Sequence, residues 1–244
     1  MRFLFALFLS MLLPLTAAGA GAKGGTDMDM LKNIHWLGHD TFRINAGKVI
    51  YTDPFRIRER PVRAGIILIT HEHYDHCSPE DVAKIQGPDT VIVAPPDCAA
   101  KLKGNIHLAR PGDRINIEGI GIEAVRSYNV NKKFHPKGND WVGYIFTAGG
   151  KRIYIAGDTD LIPEMKDYRC DIALLPVSGT YVMTAEEAVQ AALEIRPGVA
   201  IPMHYGSIVG TKEDAERFRK LLETKIKAEG KTGPKAVLLP QEEQ

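Results

Sequence analysis

The 244-residue chain has only three cysteines, Cys77, Cys98 and Cys170, too few and too irregularly spaced for a disulfide framework. They read as buried thiols. It also lacks an excess of either charge: 31 Lys and Arg against 30 Asp and Glu leave a formal net charge of +1. With no basic run to track phosphates, nucleic acid is not expected as a partner. No apolar run beyond the N-terminus could cross a bilayer, so no transmembrane segment is expected in the mature chain. No Ser-His-Asp or Cys-His arrangement marks a nucleophilic side chain. The length and the 44% hydrophobic content suit one globular domain with a sizeable core.

The first residues differ from the rest. Arg2 supplies a positive start, Phe3 to Leu15 an apolar stretch, and Ala18-Gly19-Ala20 and Ala20-Gly21-Ala22 two sites of A-x-A type. A spanning helix needs about 20 apolar residues, so a cleaved signal peptide over residues 1–22 is expected rather than an anchor. The mature domain then covers residues 23–244, in the periplasm or outside the cell.

Short strand patterns dominate the mature chain. Ile34 to Leu37, Thr41 to Ile44 and Val49 to Tyr51 read as a meander, and the unbroken apolar run Ile66 to Thr70 as a strand covered on both faces. Ser78-Pro79-Glu80-Asp81 is a helix start, followed by a strand at Val91 to Ala94 and a short helix near Asp97 to Leu102. Arg114 to Val125 reads as two strands about Glu118-Gly119, and Val142 to Thr147 with Arg152 to Ala156 as a hairpin. Ile172 to Leu175 and Val199 to Met203 are further strands. Thr184 with Glu187 forms a capping box at the head of a helix whose apolar face is Ala185, Ala188, Val189, Ala192 and Leu193. A last helix covers Lys212 to Lys227. Strands paired mostly as hairpins, with helices outside, predict an α/β fold of two sheets sandwiched between helical layers.

The strongest chemical signal is Thr70-His71-Glu72-His73-Tyr74-Asp75-His76, directly after the buried strand. Imidazole nitrogens and carboxylate oxygens are the donor set of zinc and neighbouring first-row metals, and a loop after a rigid strand lets several converge on one point. A solvated polar loop would not concentrate donors at this density.

The pattern H-x-H-x-D-H resembles the defining motif of the metallo-β-lactamase superfamily. The likeness runs from Trp36-Leu37-Gly38-His39 to Ile201-Pro202-Met203-His204, and is strongest to the branch of metal-dependent hydrolases that includes L-ascorbate-6-phosphate lactonase. It implies a four-layer αββα sandwich holding two divalent metal ions, zinc first, with Mn, Fe or Ni as alternatives. One metal would be held by His71, His73 and a third histidine, the other by Asp75, His76 and His204, with Asp158 bridging both. Asp75 and Asp158 would also take part in catalysis. Where relatives carry the third histidine this chain has Asn129; His135 is the nearby replacement, against the alternatives of a solvent-facing His135 with Asn129 or water in its place. His39 and Asp53 are expected behind the ligands, orienting them. Tyr74 and Tyr205 are open between substrate contact and plain packing, the packed-loop role being favoured for Tyr74.

The activity so implied is hydrolysis of an ester, lactone, amide or phosphodiester of a small molecule by a metal-bound hydroxide. Two alternatives are an iron-dependent redox enzyme on the same scaffold and a non-catalytic periplasmic metal or ligand carrier.

Overall fold

The computed structural model describes residues 26–58, 61–230 and 232–242; the expected signal peptide lies outside these. A capped turn at Asp27–Met30 (α1) leads into Ile34–Gly38 (β1), Thr41–Ala46 (β2) and Lys48–Thr52 (β3), an antiparallel meander. Ile66–Leu68 (β4), Val91–Ala94 (β5) and Asn105–Leu108 (β6) then join β3 in parallel, completing a six-stranded sheet, with helices Pro79–Ile85 (α2) and Pro96–Ala99 (α3) in the crossovers.

The second half repeats the plan. Arg114–Ile117 (β7), Ile120–Arg126 (β8), Val142–Ala148 (β9) and Lys151–Ile155 (β10) run antiparallel, and Ile172–Pro176 (β11), Val199–Met203 (β12) and Lys235–Ala236 (β13) extend β10 in parallel. Helices Ala185–Ile195 (α4) and Lys212–Glu229 (α5) lie in these crossovers. The expectation of mostly hairpin pairing is therefore corrected: parallel neighbours are as prominent as antiparallel ones, because each meander ends in crossovers that need a helix-length connection.

Side-chain alternation explains the layering. In β4 and β5, Ile66, Leu68, Val91 and Val93 join the main core between the sheets, while Ile67, Ile92 and Ala94 turn to a second core with Val82 and Ile85 of α2 and Cys98 of α3. Both faces of this sheet are thus dry, which is why its strands read as unbroken apolar runs. On the other side, Ala188, Val189 and Ala192 of α4 pack with Phe218 and Leu222 of α5 against the second sheet. The Thr184–Glu187 capping box forms as expected. The helix expected near Asp97 to Leu102 stops after one turn, at Ala99.

No helix among the described residues is long and apolar enough to cross a membrane. The loops that matter leave the carboxyl ends of β1, β3, β4, β8, β10, β11 and β12, much as open parallel sheets place their ligands at strand ends.

Candidate metal centre

Two loops after the first sheet and three after the second meet at one buried point. His71, His73 and His135 each offer a ligand atom, all within 4.8 Å of one another; so do His39, Asp75, His76 and His204. Asp158 lies between the two groups. Its Oδ2 is 3.2 Å from Nε2 of both His135 and His204 and 4.0 Å from that of His71, and its Oδ1 is 3.4 Å from His76 Nε2.

The inward-facing nitrogens of His71, His76 and His204 are aimed from behind. His71 Nδ1 is 2.9 Å from Thr70 Oγ1, whose hydroxyl donates to Asp53 Oδ2 at 2.6 Å, so the ring's proton faces the threonine and Nε2 faces the centre. His76 Nδ1 is 2.9 Å from the same Asp53 oxygen, and His204 Nδ1 is 2.9 Å from Ser178 Oγ. Asp53 is fully buried and also accepts the Thr70 N–H at 2.8 Å. Orienting partners of this kind raise the basicity of a ligating imidazole.

His135 reaches the centre by a fold-back of its loop. Asn129 donates its N–H to the His135 carbonyl at 2.7 Å, and its Oδ1 receives both the His135 N–H (3.0 Å) and Nδ1 (3.1 Å). This leaves His135 Nε2 3.2 Å from His73 Nδ1. Asn129 thus stands behind the imidazole rather than in its place. The loop histidine is buried, not solvent-facing.

Backbone strain concentrates here. His39, Asp53 and His204 all have positive φ (51°, 37° and 59°), a conformation that non-glycine residues avoid. The His39 carbonyl holds two of these corners together, accepting from Trp36 Nε1 at 2.9 Å and His204 N–H at 3.2 Å. Gly157, before the central carboxylate, has φ +61°, and a Cβ there would lie 2.9 Å from Thr70 Cβ. Only glycine lets the Asp158 corner press this close to the His71 corner.

Burial and charge oppose each other throughout the cluster. Burial pushes the His71 imidazole well below its ordinary value and His39 down to about 4. For Asp158 burial works upward, but the neighbouring His204 and His76 hold it well below the carboxylate range. Burial likewise opposes ionisation of Asp75, yet the His39 hydrogen bond and His76 hold it near about 2. Asp40 is pushed up to about 7 by burial; neither of its oxygens has a hydrogen-bond partner, and Oδ2 is 3.8 Å from His76 Nδ1. His76 Nε2, His204 Nε2 and Asp158 Oδ1 are also buried without a hydrogen-bond partner. Unpartnered buried donors of nitrogen and carboxylate type, converging on one point, are what a divalent cation satisfies.

His39 Nε2 is 3.0 Å from Asp75 Oδ2, and the residue groups with Asp75, His76 and His204. Tyr74 is not packed; it is 67% exposed at the mouth, edge-on to Phe55. Tyr205 is buried, with its ring 4.7 Å from that of Trp36. Sequence reasoning did not single out Asp40, Ser178, Thr70 or Trp141. The Trp141 ring lies 5.0–5.6 Å from those of His71, His73 and His135, walling that side of the centre, and its Nε1 donates to Asp97 Oδ2 at 2.6 Å.

Two sheets of this topology carrying this cluster define a metallo-β-lactamase-type fold. The chain belongs to that superfamily: the family model described as the beta-lactamase superfamily domain matches residues 33–204. A UPF0173 metal-dependent hydrolase of Thermoplasma acidophilum is 35% identical over 217 residues, which span 81% of this chain and 93% of the relative. A crystal structure from Parabacteroides distasonis superposes with a TM-score of 0.72 at 35% identity, covering 84% of this chain and 91% of its own. Igni18, a metallo hydrolase of Ignicoccus hospitalis, shares the fold with a TM-score of 0.69 at 24% identity, over 86% of this chain and 95% of its own.

Proposed function

We propose that this chain is a metal-dependent hydrolase that holds two divalent ions, zinc by preference, and cleaves an ester, lactone, amide or phosphodiester of a small molecule. The observation that carries this reading is the position of Asp158, with one oxygen 3.2 Å from His135 and His204 and the other 3.4 Å from His76. His71, His73 and His135 would hold one ion, Asp75, His76 and His204 the other, with His39 completing the second group and Asp158 shared. Asp75 and Asp158, both held ionised, would set negative charge against the cations. An all-nitrogen and oxygen donor set suits zinc and equally admits manganese, iron or nickel. Naming of the similar Thermoplasma protein as a metal-dependent hydrolase supports this reading over a redox enzyme or a carrier.

When bound, such a metal pair lowers the pKa of a water from 15.7 toward about 7 and polarises a carbonyl or phosphoryl oxygen. The chain supplies the rest. Asp75, held ionised with its Oδ2 3.0 Å from His39 Nε2, would steer the proton of an attacking water. Trp141 keeps bulk water from the His71, His73 and His135 side. We further propose that residues 1–22 direct export, so that the reaction takes place outside the cytoplasm.

The test is turnover of 4-nitrophenyl esters, lactones and bis(4-nitrophenyl) phosphate by protein stripped with chelator and reloaded with zinc, manganese, iron(II) or nickel. At least one class of substrate is expected to be cleaved, with activity lost on chelation and regained on reloading. Metal-loaded protein inert toward all of them, while still binding two ions, would leave a carrier as the better reading.

A further inference from the structure

One rim of the centre is built around an arginine that the hydrolytic mechanism does not use. Arg56 has φ +55°, a conformation that an unconstrained surface arginine avoids. It is held there by Asp81 in the first turn of α2, which is 6% exposed. Asp81 Oδ2 accepts the Arg56 N–H at 2.8 Å and Oδ1 the Ile57 N–H at 3.0 Å. This clasp turns the guanidinium back over the Phe55 ring, 4.9 Å from its centroid, where Nη1 donates to Ser207 Oγ at 3.1 Å. Phe55 in turn lies 6.1 Å from the His39 ring and 5.9 Å from that of Tyr74. Arg56 therefore ties the corner after β3 to the corner after β12, beside the centre.

The guanidinium faces a cavity of about 260 Å³ lined by His39, Phe55, Arg58, Ser207 and Glu242. The one carboxylate in that lining is already engaged: Glu242 accepts two hydrogen bonds from Arg43, at 3.0 and 3.1 Å, and lies 3.0 Å from His35 Nδ1. Arg56 makes no ion pair among the described residues. Of the five N–H groups a guanidinium carries, a planar pair is the usual fork for carboxylate or phosphate.

We propose that Arg56 determines specificity by binding an anionic group, phosphate or carboxylate, on the substrate. The substrate class is then an acidic ester, lactone, amide or phosphodiester whose charged end lies in this cavity against Arg56 while its scissile bond lies at the metal centre. This rests on the hydrolytic reading above for the bond broken, but not for the anion bound.

The experiment uses metal-loaded protein and two variants: Arg56→Asn, since asparagine tolerates the left-handed region, and Arg56→Lys, which keeps the charge and loses the fork. The first readout is the ratio of kcat/KM for mono-4-nitrophenyl succinate to that for 4-nitrophenyl acetate. It is expected to favour the anionic ester in the native protein, to fall at least about tenfold in Arg56→Asn through KM more than kcat, and to recover in part in Arg56→Lys. The second readout needs no turnover: calorimetric binding of phenyl phosphate and benzoate, expected to weaken at least about tenfold in Arg56→Asn. Preference for phenyl phosphate or for benzoate, lost in the variant, says which anion is read. Equal binding of both anions by native protein and Arg56→Asn overturns the proposal. Weakened anion binding in protein that cleaves neither ester would uphold the anion site while removing the hydrolytic reading.

Discussion

Asp158→Asn is expected to lower turnover about a thousandfold or more and to cut bound metal from two ions per chain to one or fewer. The expectation follows from position. A neutral amide in place of the carboxylate offers one acceptor oxygen and turns an N–H₂ group toward His76 or toward His135 and His204, which stand 3.2–3.4 Å away. Both donor groups lose their shared counter-charge in one step, and residues that act as a unit fail together. The metal-free protein should also be weakened, by about 3–5 kcal/mol, because a buried charge cluster deprived of one partner leaves the rest uncompensated. Metal counting by plasma mass spectrometry, with urea titration of the stripped protein, reads both effects. A variant retaining two ions and native turnover would remove Asp158 from the shared position.

Asp53 carries the second large effect. Three donors converge on its two fully buried oxygens: the Thr70 N–H, the Thr70 hydroxyl and His76 Nδ1. Asp53→Ala strands all three and is expected to cost about 3–5 kcal/mol. Asp53→Asn separates fold from chemistry more cleanly. Its oxygen can still accept the Thr70 N–H, but its N–H₂ faces His76 Nδ1 and asks that nitrogen to accept. The ring proton then moves to Nε2, the atom that faces Asp158, and the imidazole can no longer ligate. A loss in metal affinity of about 10–100-fold is expected, with a urea midpoint much closer to native than that of Asp53→Ala. Native affinity in Asp53→Asn would show that Asp53 serves the fold alone.

Elements with strong local signals could be read directly from the sequence. The apolar run before His71, the Ser78-Pro79 helix start and the Thr184–Glu187 capping box each state their structure within a few residues. β13 was not foreseen, since two residues are too few to show apolar alternation. The ligand motif was equally plain, because four donors fall within six positions. Asp158 and His204 came instead from likeness to a family, since a lone Gly-Asp or a histidine at a strand end says little by itself. The partners behind the imidazoles were less accessible still. Ser178 meets His204 across 26 positions, and Trp141 meets His71 only once the sheets pack. Asp40 has a reason to attract notice only once it is known to be buried. Arg56 was invisible for another cause: a non-glycine residue carries no mark of positive φ in its letter.

The corners at His39, Asp53 and His204 are wound against the backbone preference of their residues. Glycine would relax each of them and erase its chemistry; a larger residue lacking the right donor would keep the tension and erase the chemistry as well. Drift at these three positions is therefore blocked from two directions, and a lineage that abandoned the metal would gain backbone ease by discarding these residues first.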